Sequence, residues 1–445
     1  MTMWCKGSKL ASTTVQENFL RELKRFSTGS VLNKKHSCKL LIVGGGSGGC
    51  SVGAKYASKL GKGNVIIIEP SEKHYYQPMF TLIGGGMKTL ENSCRPTKSV
   101  LPKNAVWLKD YVVKFDPAKN QVMLKGGDTV EYEFMVTAIG LQLNFNAVEG
   151  LVDALKTPGV CSNYAPEYVT KTFEDLKKFK EGNAIFTFPN TPVKCAGAPQ
   201  KIMYIAEHYF RKTGRRDKAN IIYNTSLPVI FGVKKYACAL NQLCDERGIK
   251  VNLRHNLIKV DPAKKEAVFE NLDSPGSYMT LDYSLLHVSP PMSAPKVLQD
   301  CKELVDSTGF LDVSKDTLLH KKFDNIFGIG DCTNLPTSKT GAAVASQLRT
   351  LRLNLDSRMK NEELTAKYLG YTSCPLVTGY NSCILAEFDY NGAPMETFPV
   401  DQGKERLSMF MMKKYIMPEL YWNLMLRGYW EGPAIFRKIM HLGFR

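Results

Sequence analysis

The sequence predicts an α/β protein with two Rossmann-like domains and a C-terminal amphipathic-helical region. Three observations lead to this prediction. Short apolar runs alternate with helix-like patterns in two separate stretches, 39–68 and 184–253. A glycine-rich turn follows the first apolar run directly. The last stretch, 404–445, holds six of the 17 methionines and places its apolar residues at helical spacing. Strands and helices that alternate in this way predict parallel sheets covered by helices.

Composition and charge limit the class of protein. The chain has 445 residues, of which 44% are hydrophobic and 23% charged, which is typical of a globular protein. Its net charge of +17 is concentrated at the ends: residues 1–35 hold seven Lys and Arg against two acidic residues, and 404–445 hold eight against three. Twelve cysteines without a Cys-x-x-Cys spacing argue against a zinc ribbon, an iron–sulfur cluster or a secreted disulfide framework. We therefore expect no metal site and mostly reduced thiols.

The first 35 residues predict a mitochondrial transit peptide. In segment 15–26 the apolar residues fall on one helical face and the basic residues on the other. A basic, hydroxyl-rich and amphipathic start is typical of mitochondrial targeting, although Glu17 and Glu22 depart from the pattern. The alternative is a simple tail.

The glycine-rich turn predicts a dinucleotide site. Gly44, Gly46 and Gly49 stand between the apolar run 39–43 and a helix-like stretch, and a second apolar run ends at Glu69. In such a turn the first glycine allows a sharp bend, the second lets the backbone approach a pyrophosphate, and the third lets the helix pack on the strand. An acidic residue at the end of the second strand can bind ribose hydroxyls and would repel a 2′-phosphate, which disfavours NADP.

Two later segments favour FAD as the dinucleotide. Segment 134–140 is an apolar strand that ends in a small-residue turn, and 325–331 is another that ends in Gly-Asp. They are similar to the later fingerprints of the flavoproteins with two dinucleotide domains, the family of glutathione reductase. In that family the aspartate binds the ribityl chain of FAD, so the resemblance assigns this role to Asp331. Segment 339–345 should begin a helix whose N-terminus faces the flavin.

The second predicted Rossmann-like domain, of the same FAD/NAD(P)-binding type, lacks the glycines that a nicotinamide dinucleotide needs. Its first strand, 184–188, runs into Pro189-Asn190-Thr191-Pro192 and not into a second glycine motif. Proline has no backbone N–H to donate, and without glycine the backbone cannot approach a pyrophosphate closely. We therefore expect electrons to come from a donor other than NADH.

Two cysteines are candidates for redox chemistry. Cys195 lies in a loop just before a predicted helix, between Lys194 and Lys201, where a lowered thiol pKa is expected. Cys374 lies in what reads as another turn. Two cysteines on a helical pattern are expected in the core, namely Cys238 and Cys244. Three cysteines receive no role: Cys94, Cys161 and Cys332.

Several longer runs resemble the mitochondrial sulfide:quinone oxidoreductase family. They are 69–78, 183–201, 327–340 and 370–380, and the resemblance extends from about Lys39 to the C-terminus. It implies that Cys195 and Cys374 flank the flavin and hold sulfur between them, without the third cysteine that some bacterial relatives use. Together with the glycine motif, the resemblance implies FAD contacts at Gly44, Gly46, Ser47, Gly48, Gly49, Glu69, Gln77, Val112, Asp331 and Lys339.

The resemblance also implies an activity, the two-electron oxidation of hydrogen sulfide. HS⁻ attacks the bridge between the two cysteines, Cys374 leaves as a thiolate, and Cys195 becomes a persulfide. A small acceptor such as glutathione or sulfite then takes the sulfane sulfur, and the electrons pass through FAD to ubiquinone. Basic residues around the cleft would favour these anions.

The C-terminal region predicts membrane association. Trp422 and Trp430 lie in it, and after Pro433 an apolar helical side faces a basic one. Such helices suit an anionic membrane surface, and a methionine-rich pocket suits a long-tailed quinone. The resemblance implies monotopic attachment to the matrix side of the inner mitochondrial membrane. The alternative is that these helices cover the core or form a dimer interface.

Two other functions remain open at this point. A type II NADH:quinone dehydrogenase shares the FAD, the fold and the membrane-bound end, but the missing second glycine motif disfavours it. A flavoprotein that has lost catalysis would serve as a binding module, which the two retained cysteines disfavour. No recognition module for nucleic acid is visible in the sequence. The expected division of the chain is 1–35 (transit peptide), 36–155 and 288–370 (FAD-binding domain), 156–287 (second Rossmann-like domain) and 371–445 (redox cysteine and membrane region).

Overall fold

The computed structural model describes residues 33–443, so the predicted transit peptide lies almost wholly outside the described residues. The strands, in chain order, are β1 (Lys35–Val43), β2 (Val65–Ile68), β3 (Lys73–Tyr75), β4 (Cys94–Pro96), β5 (Val106–Leu108), β6 (Val112–Asp116), β7 (Gln121–Leu124), β8 (Thr129–Thr137), β9 (Gln142–Leu143), β10 (Val160–Cys161), β11 (Gly182–Phe188), β12 (Ala219–Thr225), β13 (Lys250–Leu253), β14 (His255–Asp261), β15 (Glu266–Asn271), β16 (Tyr278–Asp282), β17 (Leu285–His287), β18 (Met292–Ser293), β19 (Ile326–Gly328), β20 (Thr372–Val377) and β21 (Cys383–Phe388).

The helices fall into three groups by length and type. The longer ones are α1 (Ser47–Tyr56), α2 (Pro166–Lys178), α3 (Ala198–Lys212), α4 (Lys234–Glu246) and α5 (Gly341–Met359). Near the C-terminus α6 (Leu407–Met411), α7 (Met417–Glu419) and α8 (Ala434–Met440) are interrupted by π-helical stretches at Met412–Ile416 and Leu420–Met425. Short α-helical turns are Phe80–Gly84, Thr97–Val100, Leu151–Ala154 and Lys296–Gln299, and 3-10 turns are Gln77–Met79, Glu91–Ser93, Pro117–Lys119, Phe145–Ala147 and Arg216–Lys218.

The first sheet brings the predicted dinucleotide residues to one edge. Its strand order is β5-β2-β1-β8-β7-β6, and β19 also pairs with β8. The pairs β1–β2, β1–β8 and β8–β19 are parallel, and Val43 is in register with both Ile68 and Thr137. The glycine-rich turn, Glu69 and the segment before Asp331 therefore follow neighbouring strand ends. Ligands bind at this edge in open parallel sheets.

Close packing explains two of the glycines in the turn. Gly44 has a φ of +101°, and a Cβ there would lie 2.5 Å from the carbonyl oxygen of Ala138. A Cβ on Gly49 would lie 1.8 Å from the carbonyl oxygen of Gly44. The helix α1 therefore approaches the end of β1 as closely as the motif predicts.

The second sheet has the parallel order β10-β17-β11-β12-β13 and lies within residues 160–287. The predicted strands and helices between 184 and 253 are present with boundaries shifted by at most two residues. The antiparallel strands β14–β16 form a separate sheet of three strands. The two Rossmann-like units are thus confirmed, whereas the boundaries at 155, 287 and 370 stay predictions.

The C-terminal segment lies partly inside the protein. Tyr421, Trp422 and Met425 are buried in the hydrophobic core that surrounds the first sheet. Met409 and Phe410 are buried in the core that surrounds the second sheet. Helix α8 has no buried residue. Within residues 33–443, no helix combines the length and apolar character needed to cross a bilayer. The alternative that this region covers the core is therefore correct for its first half.

Two local predictions are wrong. Cys374 lies in strand β20 and not in a turn. The strand forms despite Pro375 because β20 has a partner on one side, β21, and an edge strand tolerates a residue without an N–H. Cys238 is exposed on α4, whereas Cys244 on the same helix is buried as expected. The buried residues of α4 are Tyr236, Leu240, Leu243 and Cys244, and Cys238 lies on the opposite face of the helix.

Candidate active site

The two candidate cysteines come together although 179 residues separate them. Cys195 Sγ lies 3.7 Å from Cys374 Sγ, and both are free thiols. Cys374 is buried, and Cys195 is partly accessible. A disulfide needs about 2.05 Å between the sulfurs, so a small movement of either side chain would join them.

The backbone holds Cys195 in an unusual conformation. Its φ is +55°, a region that residues other than glycine rarely adopt. The Cys195 N–H donates to the carbonyl oxygen of Lys339 at 2.8 Å, and its own carbonyl oxygen accepts from the Ala198 N–H at 2.8 Å, where α3 begins. Strain of this kind persists where surrounding contacts maintain it, and such residues cluster at functional sites.

Gly197 makes room for the second sulfur. A Cβ at this position would lie 2.5 Å from Cys374 Sγ and 2.5 Å from a methyl carbon of Leu376. The φ of Gly197 is −83°, so its backbone is open to any residue. The requirement for glycine here is purely steric.

One thiolate is shared by the pair. Cys195 Sγ and Cys374 Sγ lie within the range of a sulfur hydrogen bond, and the Lys201 ammonium lies 3.1 Å from Cys195 Sγ. These two contacts hold the pKa of Cys195 well below its usual value, despite burial. The same hydrogen bond, together with burial, raises the pKa of Cys374 well above its usual value. The position of Lys201 therefore favours negative charge on Cys195.

A second buried lysine approaches from the C-terminal segment. Lys413 is 2% exposed and donates from Nζ to the carbonyl oxygen of Pro78 at 2.9 Å. Burial, together with repulsion from Lys201, lowers the pKa of Lys413 to about 8, while the two active cysteines oppose this shift. The charge of Lys413 further lowers the pKa of Cys195.

The glycine-rich turn fits an anionic dinucleotide. Helix α1 has no side-chain cap, so its first N–H groups are not occupied by a capping side chain. A Cβ on Gly46 would meet no atom within 4 Å, which leaves open space above the turn. Glu69 Oε2 accepts from the Gly45 N–H at 2.8 Å, so the carboxylate stands beside the turn. Burial raises the pKa of Glu69. Free N–H groups, open space and a neighbouring carboxylate are the arrangement that a pyrophosphate and a ribose require.

A second group of predicted cofactor residues is tied to the Cys195 loop. Lys194 Nζ donates to Gln77 Oε1 at 2.7 Å. Lys339 Nζ donates to the carbonyl oxygens of Asp331 and Thr333 at 2.8 and 2.9 Å. Burial raises the pKa of the Asp331 carboxyl, and Lys339 and Lys194 oppose that shift. Burial lowers the pKa of Lys194 to about 8. The Cys195 loop and these residues are thus joined by hydrogen bonds and by charge.

One predicted FAD contact and three cysteines have not yet been described. Val112 begins β6 and packs against the core that surrounds the first sheet, and its contact with FAD stays a prediction. Cys161 and Cys332 are buried, and burial raises their pKa to about 12 and about 11. Cys94 begins β4. None of the three is hydrogen-bonded to the pair within the described part of the chain.

A cavity of about 570 Å³ lies where the second sheet would receive a nicotinamide dinucleotide. Its wall includes the proline-containing loop 189–193, Ala196 and Lys339. Val193 and Ala196 are close neighbours of Cys195 in the chain. The cavity therefore borders the Cys195 loop. In residues 33–443 no group of three His, Cys, Asp or Glu side chains could hold a metal ion.

Some features of the site were not predicted from the sequence. Gly197 lies in the run 183–201, but its steric role becomes visible only with the position of β20. Lys413 stands four residues after Met409, on the buried face of an amphipathic segment, and a lysine in that place is a usable signal. Tyr421, which contacts the glycine-rich turn, carried no signal beyond its place in an aromatic-rich stretch.

Comparisons with known proteins agree with this geometry. A family model described as pyridine nucleotide-disulphide oxidoreductase matches residues 38–183. The chain is 54% identical to "Sulfide:quinone oxidoreductase, mitochondrial" of Mus musculus over 94% of this chain and 92% of that protein. It is 45% identical to the protein of that name from Dictyostelium discoideum, over 89% and 88% of the two chains. The solved sulfide:quinone oxidoreductase of Aquifex aeolicus shares the fold, with a TM-score of 0.77, 18% identity, and coverage of 92% of this chain and 95% of that one.

Replacing Gly197 with alanine should separate the sulfurs. In Gly197→Ala the new methyl group displaces Cys374, so oxidation of the thiols to a disulfide should slow by roughly tenfold or more. Mass spectrometry after treatment of the reduced protein with diamide measures the rate. Gly232→Ala is the control, because a Cβ there meets no atom within 4 Å. Equal rates in Gly197→Ala and wild type would contradict the steric role.

Removing the Lys201 charge should raise the pKa of Cys195. In Lys201→Gln the thiolate loses its ammonium partner, so less thiolate is present at neutral pH. We expect the alkylation rate of Cys195 by iodoacetamide to fall about tenfold at pH 7 and its inflection to move to higher pH. Lys212→Gln, at an exposed position of the same helix, should leave the pH profile unchanged. An unshifted profile in Lys201→Gln would show that the thiolate does not depend on this charge.

Proposed function

This chain belongs to the family of mitochondrial sulfide:quinone oxidoreductases, and on that premise we propose that it oxidises hydrogen sulfide at the Cys195–Cys374 pair, with FAD as cofactor and ubiquinone as electron acceptor. The observation that carries this proposal is the 3.7 Å separation of the two sulfurs beside Lys201. Lys201 and Lys413 both place positive charge near this pair and stabilise an anion there.

The position of the Lys201 ammonium, 3.1 Å from Cys195 Sγ, supports different roles for the two cysteines. HS⁻ attacks Cys374 Sγ, the S–S bond breaks, and Cys195 leaves as the thiolate that Lys201 holds. The thiol of lower pKa is the better leaving group. Cys374 then carries the persulfide. This proposal reverses the assignment that the family resemblance implied, in which Cys374 leaves as the thiolate and Cys195 carries the persulfide.

Transfer of the sulfane sulfur completes the cycle. A thiolate or sulfite attacks the outer sulfur of the persulfide and leaves Cys374 as a thiolate. The two thiolates then close the disulfide and release two electrons. FAD, when bound at the glycine-rich turn, supplies the acceptor for that electron pair. We propose that the acceptor anion, glutathione or sulfite, reaches the pair through the cavity of about 570 Å³ that borders the Cys195 loop.

The type II NADH:quinone dehydrogenase alternative is disfavoured. The solved NDH2 of Plasmodium falciparum shares the fold with a TM-score of 0.63 at 12% identity, over 93% of this chain and 99% of that one. However, β11 leads into Pro189 and Pro192, and this loop offers no glycine for a second dinucleotide.

Anaerobic flavin spectra test the proposed function. We expect sulfide, and not NADH, to bleach the visible absorbance of the bound flavin, and a short-chain ubiquinone to restore it. Cys195→Ser should abolish bleaching by sulfide. Cys238→Ser, which removes an exposed thiol on α4, should bleach as wild type does. Bleaching by NADH alone would move the assignment to the dehydrogenase.

We further propose that α8 attaches the protein to the matrix side of the inner mitochondrial membrane. Ile435, Phe436 and Ile439 are 64%, 54% and 64% exposed, and Arg437 and Lys438 stand between them. Apolar side chains that face water beside basic ones suit the surface of an anionic bilayer.

Vesicle binding tests this attachment. The double variant Ile435→Ser/Ile439→Ser should lower binding to anionic phospholipid vesicles by roughly tenfold, because two large apolar side chains no longer enter the lipid. Co-sedimentation with the vesicles measures it. Tyr278→Ser removes an equally exposed apolar residue from β16 and should bind as wild type does. Undiminished binding by the double variant would place the attachment elsewhere.

A further inference from the structure

The C-terminal segment contacts the glycine-rich turn through a single tyrosine. The Tyr421 hydroxyl lies 2.9 Å from Ser47 Oγ and 2.6 Å from His74 Nε2. His74 Nδ1 lies 3.2 Å from the carbonyl oxygen of Gly45. Tyr421 is 3% exposed and His74 is 5% exposed. The contacts therefore form a buried ring that begins and ends in the turn.

Hydrogen-bond chemistry gives this ring a direction. The carbonyl oxygen of Gly45 can only accept, so Nδ1 of His74 carries the proton. Burial lowers the pKa of His74 to about 4, so its imidazole is neutral and Nε2 accepts a hydrogen bond. Tyr421 therefore donates to His74, and Ser47 donates to Tyr421. Tyr421 and His74 each have one donor and one acceptor partner, and removal of the Tyr421 hydroxyl takes that partner from the buried His74 Nε2 and from the half-buried Ser47 Oγ.

The same segment also contacts α1 at its C-terminal end. Glu431 accepts from Lys55 at 3.0 Å, and it pairs with Arg352 through two contacts of 2.7 and 3.1 Å. Lys55 stands in the last turn of α1, and Ser47 is its first residue. The segment therefore contacts α1 at both ends. Its aromatic residues complete the contact, since the Tyr421 ring lies 4.5 Å from that of Tyr76.

We propose that Tyr421 is a positioning residue for the cofactor: it fixes the shape of the glycine-rich turn from the C-terminal segment, so that FAD is retained only while this segment is seated on α1. This inference rests on the proposed FAD cofactor. The N–H groups at the start of α1 belong to the residues that the ring holds. Because coupling between two sites is reciprocal, bound FAD in turn stabilises the seated segment and presents its membrane-facing end.

Release of FAD from the holoenzyme tests the proposal. Tyr421→Phe keeps the ring packing and removes the hydroxyl. We expect FAD to dissociate about tenfold faster, at a temperature where circular dichroism shows a folded protein. The rise of free-flavin fluorescence after dilution measures the rate. Tyr236→Phe is the matched control, because it removes a buried tyrosine hydroxyl bonded to Glu387 and Glu396 in the second unit. It should lower thermal stability and leave the release rate below unfolding unchanged.

Two further measurements complete the test. His74→Gln breaks the ring from the side of the turn, without any change in the C-terminal segment, and should accelerate release as Tyr421→Phe does. Limited trypsin digestion should cleave the segment around Lys413 and Arg427 faster after FAD is stripped from the wild type. A Tyr421→Phe protein that releases FAD at the wild-type rate, or only on unfolding, overturns this inference alone. A wild-type protein whose heat-released cofactor is not FAD overturns the proposed function as well.

Discussion

The approach of Cys195 to Cys374 is the contact on which the site depends, and it exists because nothing fills the space beside Gly197. Three separate parts of the chain meet there: the loop before α3, the edge strand β20 and the segment that carries Lys413. Each is held by its own bonds, including the backbone contact between Cys195 and Lys339. The positive φ of Cys195 shows backbone strain, which the contacts among these three parts of the chain maintain.

Electrostatics in this small volume are unusual because two of the positive groups, Lys201 and Lys413, are buried. The partly exposed Lys194 and the buried Lys413 each have a pKa lowered to about 8 by loss of solvent, whereas the thiols that Lys201 faces raise its pKa. A buried ammonium is costly without a partner. The cluster of lysines therefore favours negative charge beside it, which a thiolate, a persulfide or a bound anion would supply. This is a binding preference that the fold maintains before any substrate arrives.

The part of the molecule that could be predicted is the part encoded locally. The strand, turn and helix from Lys39 to Tyr56 follow from apolar periodicity and from glycines whose spacing has one structural meaning. The pairing of Cys195 with Cys374 followed from a family resemblance, since no local pattern joins residues so far apart. The strand conformation of Cys374 was missed because Pro375 suggests a turn, and only the pairing of β20 with β21 shows an edge strand. The contact of Tyr421 with Ser47 depends on tertiary packing across the whole chain, which a single sequence does not reveal.

The proline-containing loop after β11 bears on where the electrons go as well as on which dinucleotide can bind. A flavoprotein with a working nicotinamide site exchanges electrons with the soluble pool of NAD⁺ and NADH in both directions. Pro189 and Pro192 disfavour a site for that dinucleotide, while the cavity beside them remains open to small molecules. In the proposed reaction the electrons taken from sulfide therefore leave through the quinone. Oxidation of sulfide would then proceed without changing the ratio of NADH to NAD⁺ around the enzyme.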